Sequence, residues 1–238
     1  MLKKITLICL CLSLSLAVLG QKWNYNLRGG ISIGAPFTTD IAEGAKGWLG
    51  LAPHGGVGVC YAISPRCELS FQAAYVGKNA RFFSPLNDTI TDTQPIFIGG
   101  VPIDTAYIKT LFSGTASGYF KNKYIEFSFN TAYKTRNWKF QLGIFAAYLA
   151  KGENKIVANG TIGFAVPPTY TTREIDNSDA LRIWDYGLLA GMERRVYKSL
   201  SMYFNLSYGF PNVYAKPTEG TNVKLNNAYI YLGFLYSI

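Results

Sequence analysis

Beyond its first twenty residues the chain has no apolar run approaching the roughly 20 residues that a membrane-spanning helix needs, which excludes helical insertion for residues 21–238. Histidine is almost missing: His54 stands alone, and of four cysteines only Cys60 and Cys67 lie outside the N-terminal segment. One His and two Cys do not form a zinc ligand set, so no metal is expected, and no cofactor motif is present. Charge is scarce, with 16% of residues charged. The formal net charge is +9, yet no Lys/Arg run exceeds two residues. That leaves no footprint for nucleic acid and suits anionic headgroups and lipopolysaccharide phosphates better.

What is present begins with an export signal. Lys3 and Lys4 precede the apolar stretch Ile5 to Val18, and small residues around Ala17 and Gly20 precede Gln21-Lys22. This is the layout of a cleaved secretory leader over residues 1–20, too short to anchor as a helix. Residues 21–238 are then one domain. Export permits a disulfide. The alternation described next puts Cys60 and Cys67 on opposite faces, which favours two free thiols over a bridge stapling the turn between them.

The dominant pattern has period two. Leu27, Ile31 and Ile33 alternate with Asn26, Arg28 and Ser32, and seven further segments behave alike. These lie near 48–62, 66–75, 119–134, 139–148, 181–196, 200–208 and 229–238. Their connections are short at 63–65, 135–137 and 197–199, and long at 35–47, 78–118, 151–180 and 211–222. Strict alternation of short and long places all short turns at one rim. The expected fold is all-β: an eight-stranded antiparallel up-and-down transmembrane β-barrel with short periplasmic turns and long external loops.

The faces agree with that reading. Trp23, Tyr25, Tyr61, Tyr75, Tyr133, Trp138, Tyr148, Trp184 and Tyr208 fall on the apolar face and are expected to form the interfacial girdles. Arg28, Glu68, Gln72, Glu126, Lys139, Asp185, Glu193 and Arg195 fall on the other face. A barrel of eight strands is just wide enough for its own side chains, so these residues are expected to form an internal polar network. Gly233, Tyr236 and Ile238 close the chain in the manner of the C-terminal signal read by the outer-membrane assembly machinery.

Several segments resemble the PorT-like outer-membrane β-barrel family of Bacteroidetes. They are Tyr25 to Gly34, Gly55 to Tyr75, Tyr124 to Phe129, Asp185 to Gly191 and Tyr231 to Phe234. The resemblance implies a fold and an outer-membrane location, and some relatives are linked to type IX secretion. It carries no catalytic signature.

No catalytic residues are assigned. Lipid-modifying barrel enzymes pair His with Ser and a carboxylate, so His54 is the one candidate base, but no Ser lies near it in its own strand. The leading expectation is a non-enzymatic barrel that contacts outer-membrane lipid and lipopolysaccharide and meets a protein partner through its external loops. The alternatives are a lipid-modifying enzyme using His54 and a soluble periplasmic ligand-binding barrel, which would reverse the two faces.

Overall fold

The computed structural model describes residues 23–38, 44–98, 101–162, 169–216 and 224–238; for 87–111, 162 and 169 it describes the backbone. The expected leader, 1–20, lies outside the described residues. Ten strands are present among them: β1 (Trp23–Phe37), β2 (Lys46–Ala62), β3 (Cys67–Ile98), β4 (Val101–Lys134), β5 (Trp138–Lys151), β6 (Asn154–Ile162), β7 (Thr169–Asp176), β8 (Trp184–Tyr197), β9 (Leu200–Gly209) and β10 (Asn226–Ser237).

All pairings are antiparallel. β1 joins β10 and β2, β2 joins β3, β3 joins β4, β4 joins β5, β5 joins β8, β8 joins β9, and β9 joins β10. These eight strands therefore form a closed cycle with no free edge. β6 and β7 lie outside it: β6 pairs with the upper part of β4, and β7 pairs with β6. The expectation of eight strands is thus corrected to ten.

The two extra strands come from 151–180, expected to be a loop, and 78–118 is likewise not a loop. A spanning strand needs about 9–11 residues. β3 has 32 residues and β4 has 34, so both continue well past that length as one hairpin in unbroken register from Cys67↔Tyr133 to Ile96↔Asp104. Along β4 the partner changes. Tyr124–Lys134 pairs with β5, whereas Phe112–Phe120 pairs with β6, and a register shift at Lys123/Tyr124 marks the handover. The projecting sheet buries its own cluster of Leu86, Phe112, Ala116, Ile156, Ala158 and Ile175. At its base, the Ser178 amide and hydroxyl both donate to Asp176 and hold that carboxyl below its usual range.

The outer face of the cycle is apolar and exposed along the strands. Leu27, Val57, Phe71, Phe127, Leu142, Ile144, Leu188, Leu206 and Phe234 all point outward. A soluble chain rarely leaves so continuous an apolar surface open.

Aromatics sit above and below this belt. Trp23 meets Tyr61 with ring centroids 4.9 Å apart at the short-turn end. Trp138 stacks on Phe140 there, with Tyr133 and Tyr25 also exposed. At the other end Tyr75, Ile125, Tyr148 and Trp184 are successive register partners across four strands, and Tyr208 packs on Phe210. Tyr75 lies mid-strand because β3 is longer than expected, yet it is level with Tyr148. Trp138 and Tyr148 are ten positions apart on β5, about 33 Å along a strand. At a tilt of about 40° this spans about 25 Å, the height of an outer-membrane apolar band.

Candidate functional site

The inward positions converge on a charged interior in two tiers. Glycine makes room for it. Gly58, Gly143 and Gly191 face Asn26, Asn130 and Asn205 directly across neighbouring strands, and a Cβ on any of the three would collide with the opposing amide.

The tier farther from the short turns centres on Lys78, which is fully buried. Its Nζ lies 2.8 Å from Asp185 Oδ2 and 3.7 Å from Glu126 Oε2. Asn227 Nδ2 donates to Asp185 Oδ2 at 2.8 Å, and the Tyr231 hydroxyl donates to Glu126 Oε2 at 2.9 Å. The rings of Tyr124 and Phe145 each stand 4.9 Å from the ammonium. Sequence reasoning missed Lys78 because the third strand was ended near Tyr75. The period-two phase of Gln72, Ala74 and Val76 continues to Lys78 and would have found it.

The tier nearer the short turns is built around Lys139. Its Nζ lies 2.9 Å from Glu68 Oε1 and 2.5 Å from Glu193 Oε2. Lys134 pairs with Glu68, and Arg28 Nη2 lies 3.8 Å from Glu193 Oε1. Beside these, Ser128 donates to Gln72, and Gln141 donates to Asn205 at 2.6 Å. Lys78, Arg28, Lys139 and Lys134 therefore stand against Asp185, Glu126, Glu68 and Glu193, formally neutral overall. A buried charge needs such a partner. Arg195 departs from expectation. It keeps the inward phase of β8 but is exposed, because it lies two residues from the strand end at Tyr197, where the interior opens to solvent.

His54 is buried between the tiers. Its Nδ1 lies 3.2 Å from the Tyr203 hydroxyl, and its ring centroid is 4.8 Å from that of Tyr231. Arg28 stacks on Tyr203 at 5.2 Å. This places His54 among aromatic rings inside the cycle, away from the apolar outer face. Cys60 is buried and accepts from Asn26 Nδ2 at 3.4 Å, whereas Cys67 is exposed, and both thiols are free.

The two ends of the interior differ. At the long-connection end, Leu181, Val213, Tyr214, Phe120 and Ala80 pack into an apolar cap. The Tyr214 hydroxyl donates to Asn154 Oδ1 at 2.8 Å, and Leu181 bridges Tyr214. Tyr214→Phe is expected to leave the Asn154 carbonyl without this donor and to cost about 1–3 kcal/mol. Faster amide exchange confined to 180–183 and 211–215 would show it; exchange unchanged there would show that packing alone holds the cap. At the short-turn end a recess of about 330 Å³ lies between the turns, lined by Asn26, Glu68, Arg136, Lys139, Arg195 and Lys198 among others.

At the chain terminus, Gly233 faces inward beside the Tyr203 hydroxyl, where a Cβ would come within 2.7 Å of it. Tyr236 and Ile238 face outward and are exposed.

Comparison with known proteins gives a family. A profile described as the outer membrane protein beta-barrel domain matches residues 19–215. No curated protein matches the chain in sequence. Similar solved structures include Ail, the attachment invasion locus protein of Yersinia pestis, at 8% identity and a TM-score of 0.44, covering 91% of this chain and 99% of that one. Neisserial surface protein A aligns at 11% identity and a TM-score of 0.40, covering 89% and 96%. The outer membrane protein OprG from Pseudomonas aeruginosa aligns at 10% identity and a TM-score of 0.34, covering 91% and 96%.

Proposed function

The chain belongs to the outer membrane protein beta-barrel domain family, and from that premise we propose that it is a non-enzymatic integral barrel of the outer membrane. Its eight-strand cycle spans the lipid and carries a β-sheet projection on the external side. Residues 1–20 serve as the export leader. The short turns face the periplasm, and the β3–β4 hairpin with β6 and β7 stands outside the cell. The observation that carries this reading is the pairing of an exposed apolar outer belt with a neutral, ion-paired interior.

The proposed work is binding or surface organisation through the projecting sheet, with lipid and lipopolysaccharide against the belt. A secretion-accessory role of the PorT-like kind is the narrower version, supported by the segments from Tyr25 to Gly34 and from Asp185 to Gly191. Gly233, Tyr236 and Ile238 act in this reading as the signal for the assembly machinery. The charged interior and the apolar cap favour a filled barrel over a conduit. A lipid-modifying enzyme would need its base near the lipid, but His54 lies among interior rings. A soluble ligand-binding barrel would carry the opposite faces.

Fractionation of the native host tests the proposal. The expected result is an outer-membrane band whose gel mobility shifts on boiling, with an epitope inserted between Ile98 and Val101 reached by antibody on intact cells. Release into the soluble periplasm without a mobility shift would overturn the membrane reading. An epitope reached only after permeabilisation would overturn the orientation.

A further inference from the structure

The recess at the short-turn end has a charge balance that the interior network does not account for. Lys134, Arg136, Lys139, Arg195 and Lys198 line it against two carboxylates, Glu68 and Glu193. Both carboxylates are already engaged, Glu68 by Lys134 and Lys139, and Glu193 by Lys139 and Arg28. Arg136, Arg195 and Lys198 remain, none with an ion-pair partner among the described residues. Arg136 and Lys198 belong to two different short turns, and Arg195 to the end of β8, so three separate points of the rim bring cations to one opening, the Lys198 ammonium also lying 5.4 Å from the Tyr197 ring. Lys198 sits at φ 32°, a left-handed turn position where Asn or Gly is the easier occupant.

The cations stand at separate points of the rim, so a single small anion meets them one at a time. A peptide with several acidic side chains meets them together, since carboxylates match guanidinium forks and ammonium groups. The volume, about 330 Å³, is at the small end of ligand pockets and admits a short segment only.

We propose that this recess is a receptor site for an acidic peptide segment presented from the periplasm. The chemistry stands on the recess itself, and its periplasmic side rests on the orientation proposed above. The external end is closed by the apolar cap, so the segment docks rather than passes through.

The test uses the mature chain refolded in detergent, with its heat-dependent mobility shift recorded on the same sample, and titration calorimetry with a blocked triglutamate peptide. Saturable one-to-one binding is expected, with none for a blocked triglutamine peptide. Binding should weaken sharply between about 10 mM and about 150 mM salt, as the screening length falls from about 30 Å to about 8 Å. The variant R136Q/R195Q/K198Q should weaken it at least about tenfold, whereas K46Q/R81Q at the opposite end should leave it unchanged. No saturable triglutamate binding by a chain that shows its mobility shift would overturn the proposal while leaving the barrel reading intact. Binding of inorganic pyrophosphate without triglutamate would overturn it too, as would equal effects of the two variants. Should the triple variant fail to fold, the salt dependence of the unaltered chain decides.

Discussion

Lys78→Met is expected to remove about 3–5 kcal/mol of stability, a large share of the 5–15 kcal/mol a folded domain usually has. The reason is asymmetric. Lys78 is the only cation within ion-pair distance of Asp185 and Glu126 among the described residues. All three side chains are almost completely buried. Deleting the ammonium leaves two carboxylates in a medium of low dielectric with no counter-charge. The four-carbon stem is replaced closely in length by Met, so the lost charge, not a void, dominates the result. Equilibrium unfolding in urea, from detergent or vesicles, reads the change as a lower midpoint. A companion variant, K78M/D185N/E126Q, removes all three charges together and should recover much of the loss, because an uncharged cluster needs no partner. If K78M unfolds within about 1 kcal/mol of the unaltered chain, the cluster is not what holds this end of the interior together.

The second large effect is on the outside. Ile144 lies near the middle of β5, between the aromatics Trp138 and Tyr148, and is 59% exposed in the isolated chain. Were that surface in water, Ile144→Arg would change stability by no more than about 0.5 kcal/mol. Facing the lipid midplane it should cost about 2–4 kcal/mol, because the guanidinium must be carried into hydrocarbon. The same substitution at Tyr148, one girdle higher, should cost about 0–1 kcal/mol. Reversible folding into phospholipid vesicles measures both. A depth-dependent penalty supports a transmembrane belt, and a neutral result at Ile144 would place this face in water or against protein.

Much of this could be read beforehand, for a physical reason. Wherever the chain separates lipid from a polar interior, each residue must declare a side, and the declaration alternates with the pleat. Leu142, Ile144 and Ala146 against Gln141, Gly143 and Ala147 show it on β5. The short turns followed because little chain separates one alternating run from the next. Above the apolar belt the rule lapses. There β6 still alternates in burial, with Ile156 and Ala158 inside and Lys155 outside, but Asn154 joins the buried side and Val157 the other, so side and polarity no longer correspond. Pro85, Pro95 and Pro102 then read as breaks, although each keeps a register partner in the hairpin. Lys78 was lost at the same boundary, one residue past the glycine at 77.

By itself, then, the sequence determined which residues face outward and which face inward, where the short turns lie, and the supply of both charge signs for the interior. Those are local consequences of pleat and solvent. Tertiary closure alone decided that Lys78 meets Asp185 across 107 residues of chain, that Tyr203 meets His54 across 149, and that Arg136, Arg195 and Lys198 gather at one opening. Strand stagger around the cycle sets those meetings, and stagger is a property of the closed sheet that no single segment encodes.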